Sequence, residues 1–387
     1  MTIPSGLAEG PIYLDYNATT PVDPTVVEAT LPYLTGEFGN PSSDHRYGTT
    51  PHAALEHARD QVAALLSAPD GRIVFTGSGS EADNLAIRGV VLASGTDRPH
   101  VITQTTEHPA VLQACQALQR WHDAEVTYLP VDADGLVDPS ALAAAFTDRT
   151  VLVSIMAANN ETGALQPIEE LARLTHDHGA VFHCDAAQTV GKIPLDVTTL
   201  DVDLLTVVGH KMYAPKGIAA LYIRPGLALE PLVYGGGQEH GLRAGTENVA
   251  LAVALGTAAD LAAADLAAGG HERIQTLRDR LHDQLAARLP GRVELNGPAA
   301  ARLPNTLNIS ILGVTGHSLL AATPGIAAST GSACHAGDHQ PSPVLTAMGL
   351  DAERSLSALR LSLGRWSTPA DIDRATELIT TTTGSRD

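Results

Sequence analysis

Leu204-Leu205-Thr206-Val207-Val208-Gly209-His210-Lys211-Met212-Tyr213-Ala214-Pro215-Lys216-Gly217 is an apolar run that stops abruptly in a polar turn. Shortly before it, Ala180-Val181-Phe182-His183-Cys184 closes in the same way on Asp185-Ala186-Ala187-Gln188. Both runs, Ala180 to Cys184 and Leu204 to Val208, have the length and composition of buried strands. In a parallel sheet the residues just past the carboxyl ends of strands collect in one crevice, where open α/β folds bind ligands. An acid on one strand end and a lysine on the next suit a specific chemistry. Lysine forms a Schiff base with pyridoxal phosphate, and an aspartate holds the pyridine nitrogen protonated so that the ring accepts electrons. A solvated lysine beside a turn is the plainer alternative, so the rest of the chain must decide.

Working outward, strand-like and helix-like segments alternate. Ile73 to Phe75, Val101 to Gln104, Glu125 to Val131, Val151 to Met156 and Ile218 to Ile223 read as further strands. Helices are predicted from Pro24, from about Glu81 to Ala93, from Pro109, from Asp138-Pro139 and from Pro167, with Gly179 as a stop. This alternation predicts a mostly parallel sheet covered on both faces. From Asn248 the pattern changes to an alanine-rich helical region ending at Leu289 and broken at Gly269-Gly270. Strand-like Asn305 to Leu312 and a helix near Ser318 follow. Two domains are therefore expected: residues 16–260 as a large cofactor-binding unit, and residues 1–15 with 261–387 as a smaller α+β unit.

The chain has 387 residues, 44% of them hydrophobic, and a formal net charge of −19, which speaks against nucleic acid or an anionic membrane surface as the main partner. Cys115, Cys184 and Cys334 are odd in number and far apart, which fits a reducing compartment and no disulfide framework. Met1 to Gly10 shows no basic segment followed by an apolar core, and Val249 to Ala268 is broken by Asp260 and Asp265. Both points favour a soluble, cytoplasmic protein.

Other segments carry potential chemistry. Thr76-Gly77-Ser78-Gly79-Ser80-Glu81, between a strand and a helix, offers backbone N–H groups to a phosphate, or is simply a tight turn. Thr106-Glu107-His108-Pro109 places His108 at a similar junction, as a helix cap or as an imidazole over a cofactor ring. Asn159-Asn160-Glu161-Thr162-Gly163 follows a strand and can supply an amide donor. Cys334 sits in the small, polar Ser329-to-Pro341 stretch beside His335 and His339, which suits a thiolate nucleophile. Zinc is the competitor there, but the spacing is too compact for a closed site, and no metal is expected. Arg360 interrupts an alternating apolar segment and can clamp a carboxylate or serve a structural ion pair.

Taken in order from Ile12 to Trp366, these pieces resemble the cysteine desulfurases, in the class V branch of fold-type I pyridoxal-phosphate enzymes. The motifs are Tyr13-Leu14-Asp15-Tyr16-Asn17-Ala18-Thr19-Thr20-Pro21, Gly39-Asn40-Pro41-Ser42-Ser43, Thr106-Glu107-His108, Asn159-Asn160-Glu161, Gly209-His210-Lys211 and Gly241-Leu242-Arg243-Ala244-Gly245-Thr246-Glu247-Asn248. The resemblance implies a seven-stranded, mostly parallel sheet between helices, with the smaller domain carrying the Cys334 loop and Arg360. It implies Lys211 as the Schiff-base lysine, Asp185 against the pyridine nitrogen, and Asn160 and Gln188 at the phenolic oxygen. His108 would stack on the ring, while Gly79, Ser80 and His210 would hold the phosphate. Thr246 would reach the phosphate of a neighbouring subunit, which implies a homodimer. Cys334 would form the persulfide, and Arg360 with Asn40 would bind the substrate carboxylate. The implied reaction takes sulfur from L-cysteine, leaves alanine, and passes the sulfur to an acceptor such as an iron–sulfur scaffold or a thiolation protein.

Three departures stand out. Val208 occupies a position where the family usually has a hydroxyl donor to the phosphate, and Ser80 replaces a customary threonine. The stretch from Cys334 to Leu345 resembles selenocysteine lyase as much as the common desulfurases, so selenocysteine is the alternative substrate. A catalytically silent scaffold is the reading from a different class, supported by Val208 alone.

Overall fold

The computed structural model describes residues 2–330 and 340–384. Its first strand, β1 (Ile12–Tyr13), leads through two helices, Pro24–Thr35 and Arg46–Leu65, into a large sheet. That sheet is built from β2 (Arg72–Thr76), β3 (His100–Gln104), β4 (Glu125–Leu129), β5 (Thr150–Ser154), β6 (Val181–Asp185), β7 (Leu204–Val208) and β8 (Ala219–Ile223). The order across it is β2-β8-β7-β6-β5-β3-β4. The seven strands match the expected set, with ends displaced by one or two residues. The smaller elements complete the chain: β9 (Val293–Leu295), β10 (Thr306–Ile311), β11 (Ile326–Ala327) and β12 (Ala358–Ser362).

Strands β3 to β7 pair in parallel, whereas β8 runs antiparallel to both β2 and β7. The reason lies in the connection from Gly209 to Ile218. It holds only one short turn, too little chain for the crossover that a parallel return requires. Strands β3, β7 and β8 are buried along their whole length; β7 and β8 are nearly continuous in apolar residues, whereas β3 also buries His100, Thr103 and Gln104. Two clusters of buried side chains cover the two faces: Leu55, Ile102, Phe182, Val207 and Leu255 on one, Val74, Leu85, Val101, Leu118 and Leu204 on the other.

The alanine-rich helix Val249–Ala267 packs in the first cluster through Ala252, Ala254, Ala258, Ala259 and Ala262, against Arg46–Leu65 and Pro24–Thr35. Small side chains allow this close approach. It is the one described helix long and apolar enough to cross a membrane, and half of its most apolar window is buried inside the protein. Gly269, at φ +76°, ends it before Gly270–Arg288 begins.

In the smaller sheet β10 lies between β12 and β9, antiparallel to both, while β1 pairs in parallel with β11. A third cluster, including Leu14, Leu281, Ile309, Leu361 and Ile372, lies against it. Asp15 bridges to Ser362 at the end of β12, so the first ordered strand delivers its following residues to the crevice above β6 and β7.

Candidate active site

Asp185 ends β6, paired in register with Thr206 of β7. Beyond β7 the single turn Gly209–Lys211 swings the Lys211 amine over the same strand ends. There it donates to the backbone carbonyls of Asn17 and Ala18, the latter at 2.9 Å. The segment after β1 wraps this turn further. Thr20 N–H and Oγ both bond to the His210 carbonyl, at 2.9 and 3.1 Å, and the Thr20 hydroxyl accepts from Tyr213 N–H. Burial, reinforced by the Arg360 charge, lowers the Lys211 pKa to about 8, while Asp185 and Asp15 pull the other way. His210 bonds through Nδ1 to the Thr19 hydroxyl at 3.2 Å, and burial with the Lys211 charge lowers its pKa to about 4.

Asp185 accepts from Ala187 N–H at 2.9 Å, and burial raises its pKa against the opposing charges of His108 and Lys211. Two more buried acids crowd it. Asp83 is raised well above the ordinary range by burial and by Asp185, and Glu107 likewise. Asp83 Oδ1 and Glu107 Oε2 have no hydrogen-bond partner. Between Asp83 and Thr206, His183 is held neutral, its pKa lowered to about 3 by burial. His108 caps the helix Pro109–Trp121, accepting from Ala110 N–H through Nδ1 at 3.2 Å. Burial lowers its pKa first, and Lys211 adds to that while Asp185 opposes it. The neutral ring therefore carries its proton on Nε2. The side chain that caps this helix thus also lies within reach of the Asp185 and Lys211 charges.

Gly79 opens the helix Gly79–Ala93, with Ser78 as N-cap bonded to Glu81 N–H at 3.1 Å. A Cβ on Gly79 would lie 2.5 Å from Val208 Cγ2, so the backbone can approach β7 only because the residue is glycine. Gly79→Ala is expected to lose about 1–3 kcal/mol in denaturant unfolding, from overpacking against a buried valine. Val208→Ala should recover part of it in the double variant; simple additivity would contradict the contact. Ser80 is exposed. Thr246 is exposed as well, on a cavity of about 260 Å³ lined also by Thr76, Gly77, Arg243 and Glu247 but not by Lys211 or Asp185.

Arg360 enters from β12, opposite Asn308 of β10. Its guanidinium is buried and bonds to Asp15 at 2.8 Å and to the Asn160 carbonyl at 3.3 Å, while its Nε is buried without a partner. Asn159 builds the turn beside it, accepting from Glu161 N–H and Thr162 N–H and donating to the Thr106 carbonyl. Gly163 closes the turn at φ +79°, where a Cβ would meet Thr306 at 2.8 Å. Glu161 continues to Ser342, 2.5 Å away, and burial raises its pKa despite that bond and the Arg360 charge. Asn40 is exposed, its side chain accepting from Ser42 N–H; among the described residues no hydrogen bond joins it to Arg360. Cys334 lies outside the described residues.

The structure therefore gathers Lys211, Asp185, His108, His210, Gln188, Asn160 and Arg360 around one crevice, and leaves Asn40, Ser80 and Thr246 at its surface. Sequence reasoning assigned no individual role to Asp15, Asn17, Asp83, Lys192 or Ser342. Asp15 and Asn17 stood inside a quoted motif and Ser342 inside the Cys334-to-Leu345 stretch, whereas Asp83 and Lys192 carried no local signal.

A lysine and a carboxylate on neighbouring strand ends of this sheet, beside a helix N-terminus, define a fold-type I pyridoxal-phosphate enzyme. The chain belongs to the class V aminotransferase family, whose model matches residues 12–375. A cysteine desulfurase from Nostoc sp. is 50% identical over 95% of this chain and 92% of its own. A NifS-like protein structure superposes with a TM-score of 0.90 at 34% identity, covering 97% of this chain and all of that one. SspA in complex with cysteine superposes with a TM-score of 0.79, also at 34% identity, over 92% and 99%.

Members of this family carry pyridoxal phosphate, and the donor set here fits it. Burial raises the proton affinity of Asp83 and Glu107 and the Asp185 charge adds to it, a strain that a protonated ring nitrogen beside Asp185 relieves. The helix that begins at Gly79 brings its N-terminus against Val208 at the carboxyl end of β7, where backbone N–H groups suit an anion. Lys211 supplies an amine that is partly neutral near physiological pH.

Proposed function

We propose that this chain takes sulfur from L-cysteine, leaving L-alanine and a persulfide on Cys334 for transfer to an acceptor protein. The observation that carries the reading is the Lys211 amine, lowered to about 8 by burial and by Arg360, opposite the buried Asp185. The relatives' names support the reaction, and a neighbour that binds cysteine supports the substrate.

Bound pyridoxal phosphate supplies the electron sink that makes the substrate Cα–H acidic. Lys211 would hold it through Nζ, Asp185 would face its ring nitrogen, and His108 would lie against the ring. Gln188 and Asn160 would donate to its phenolic oxygen. Gly79, Ser80 and His210 would take the phosphate, with Thr246 contributed from a second copy in a homodimer. Arg360, helped by Asn40, binds the substrate carboxylate and so fixes which Cα bond faces Lys211. Lys211 then removes the Cα proton and returns it. The His108 ring donates from Nε2, and it can take the thiol proton at Nδ1 only by giving up its long helix-cap bond. The Cys334 thiolate bonds to the substrate sulfur as the carbon–sulfur bond breaks, its electron pair passing to the substrate carbon skeleton. Pinning of Ser342 by Glu161 anchors the chain shortly after Cys334. The two other thiols, Cys115 and Cys184, are buried and unpaired, and burial raises both pKa values, so neither competes as a nucleophile.

Borohydride reduction followed by peptide mapping should label Lys211 in protein supplied with pyridoxal phosphate. Cys334→Ser should keep that label and its visible band while sulfide release falls to background. An unlabelled Lys211, or undiminished turnover in Cys334→Ser, would overturn the corresponding assignment.

A further inference from the structure

Lys192 has no part in the scheme above, yet its amine points into the same network. It follows β6 by a short turn and donates to Gln188 Oε1 at 2.6 Å and to Asn17 Oδ1 at 3.1 Å. Among the described residues no carboxylate lies within ion-pair distance of it. A half-buried amine with two amide partners and no counter-ion is costly, and such groups need an explanation.

While charged, the Lys192 amine can only donate, and the Asn17 backbone carbonyl, which can only accept, sets the Gln188 amide whatever the charge on Lys192. Gln188 must therefore turn Oε1 toward Lys192 and its NH2 away. That NH2 donates to the Asn17 backbone carbonyl at 3.1 Å, the same oxygen that accepts from Lys211 Nζ. Asn17 is fixed by similar logic. Its Nδ2 donates to the Asn160 carbonyl at 3.2 Å and to Thr306 Oγ1 at 2.8 Å, leaving Oδ1 for Lys192 and for Asn305 Nδ2 at 2.9 Å. Without Lys192 the Asn17 carbonyl alone would hold the Gln188 amide in this orientation, and Oε1 would lose its donor.

We propose that Lys192 is a positioning residue which, by holding Gln188 Oε1, keeps the Gln188 amide N–H facing Lys211 and available to the phenolic oxygen of the cofactor. The inference rests on the function proposed above. Burial, with the charges of Lys211 and Arg360, favours the neutral form of Lys192, which agrees with its lack of a counter-ion. The other ionisable groups facing this crevice are Asp185, Asp15, His108 and His210.

The test is the pH titration of the visible band of protein loaded with pyridoxal phosphate. Losing a donor to the phenolic oxygen makes the imine nitrogen on Lys211 more basic. Lys192→Met should therefore raise the midpoint by about one unit, a tenfold change in proton affinity. Lys192→Arg, which keeps a donor, should bring it back to within about threefold of the wild type. Added to Gln188→Leu, Lys192→Met should cause no further shift. A strut with a purely structural role would lower stability or cofactor content without moving the midpoint. An unmoved midpoint in loaded Lys192→Met, or a fully additive double variant, overturns the inference. Should Lys192→Met fail to fold, Lys192→Ser, too short to reach Gln188 but compatible with water, carries the same expectation. Borohydride labelling separates the two levels: no label on Lys211 in the wild type defeats the proposed function, whereas a label with an unmoved midpoint defeats only the role of Lys192.

Discussion

Lys211→Met should abolish sulfur release by at least about 10⁴-fold and, in cofactor-free protein at neutral pH, raise the stability of the fold. The first effect combines loss of the amine that anchors the cofactor with loss of the group that moves the Cα proton, itself worth roughly 10²–10⁴. The second follows from the lowered pKa. At about 8, roughly one Lys211 amine in ten is neutral at pH 7, against roughly one in three thousand for an ordinary lysine. Between about 8 and 10.5 the folded chain binds fewer protons at this amine than the unfolded chain does, so stability rises with pH across that window. Below about 8 the full penalty for burying the charge is present; above 10.5 it is gone. The penalty is of the order of 3 kcal/mol, and methionine recovers about half of it because the Asn17 and Ala18 carbonyls lose their donor. Urea unfolding of the cofactor-free proteins should show Lys211→Met ahead by about 1–3 kcal/mol at pH 7, with the gap closing toward pH 10. A variant that is less stable at pH 7, or a gap that widens with pH, would show that the amine is not held against its charge.

How much of this was legible in the sequence varied with the range of the interaction. Asp185 and Lys211 were readable because each closes a run of apolar residues, and the alternation of strands and helices fixed the layering. The antiparallel β8 was readable in principle, since the chain between β7 and β8 is too short for a crossover. The helix Arg46–Leu65 was missed because Pro51 lies inside it and Gly39-Asn40-Pro41-Ser42-Ser43, rich in turn-forming residues, comes shortly before it. Site residues defined by distant partners were not readable at all. Asn17 meets Asn305 and Thr306 across the whole chain, Glu161 meets Ser342, and Asp83 meets His183 through the sheet. Lys192 looked like any lysine after a glycine. Only folding brings it to Gln188, and no periodicity marks a residue whose partners are amides.

Arg360→Leu should lower kcat/KM for cysteine by roughly 10²–10³-fold, the value of about two charge-assisted hydrogen bonds to a carboxylate. The guanidinium already holds one carboxylate, that of Asp15, and its buried Nε–H is unused. A substrate carboxylate arriving at this group must share it with Asp15 or displace it. Asp15 is the partner able to leave, since its side chain retains 23% of its exposure against 6% for Arg360. Asp15→Asn should therefore lower KM for cysteine, at a stability cost of about 1.5–3 kcal/mol for weakening a bond to a buried cation. The two variants should also differ in how they treat cysteine methyl ester. The wild type should prefer the free acid strongly, Arg360→Leu should lose most of that preference, and Asp15→Asn should keep it. If Arg360→Leu stayed within threefold of the wild type on cysteine, the Asp15 pair would be structural and the carboxylate clamp would have to be sought elsewhere.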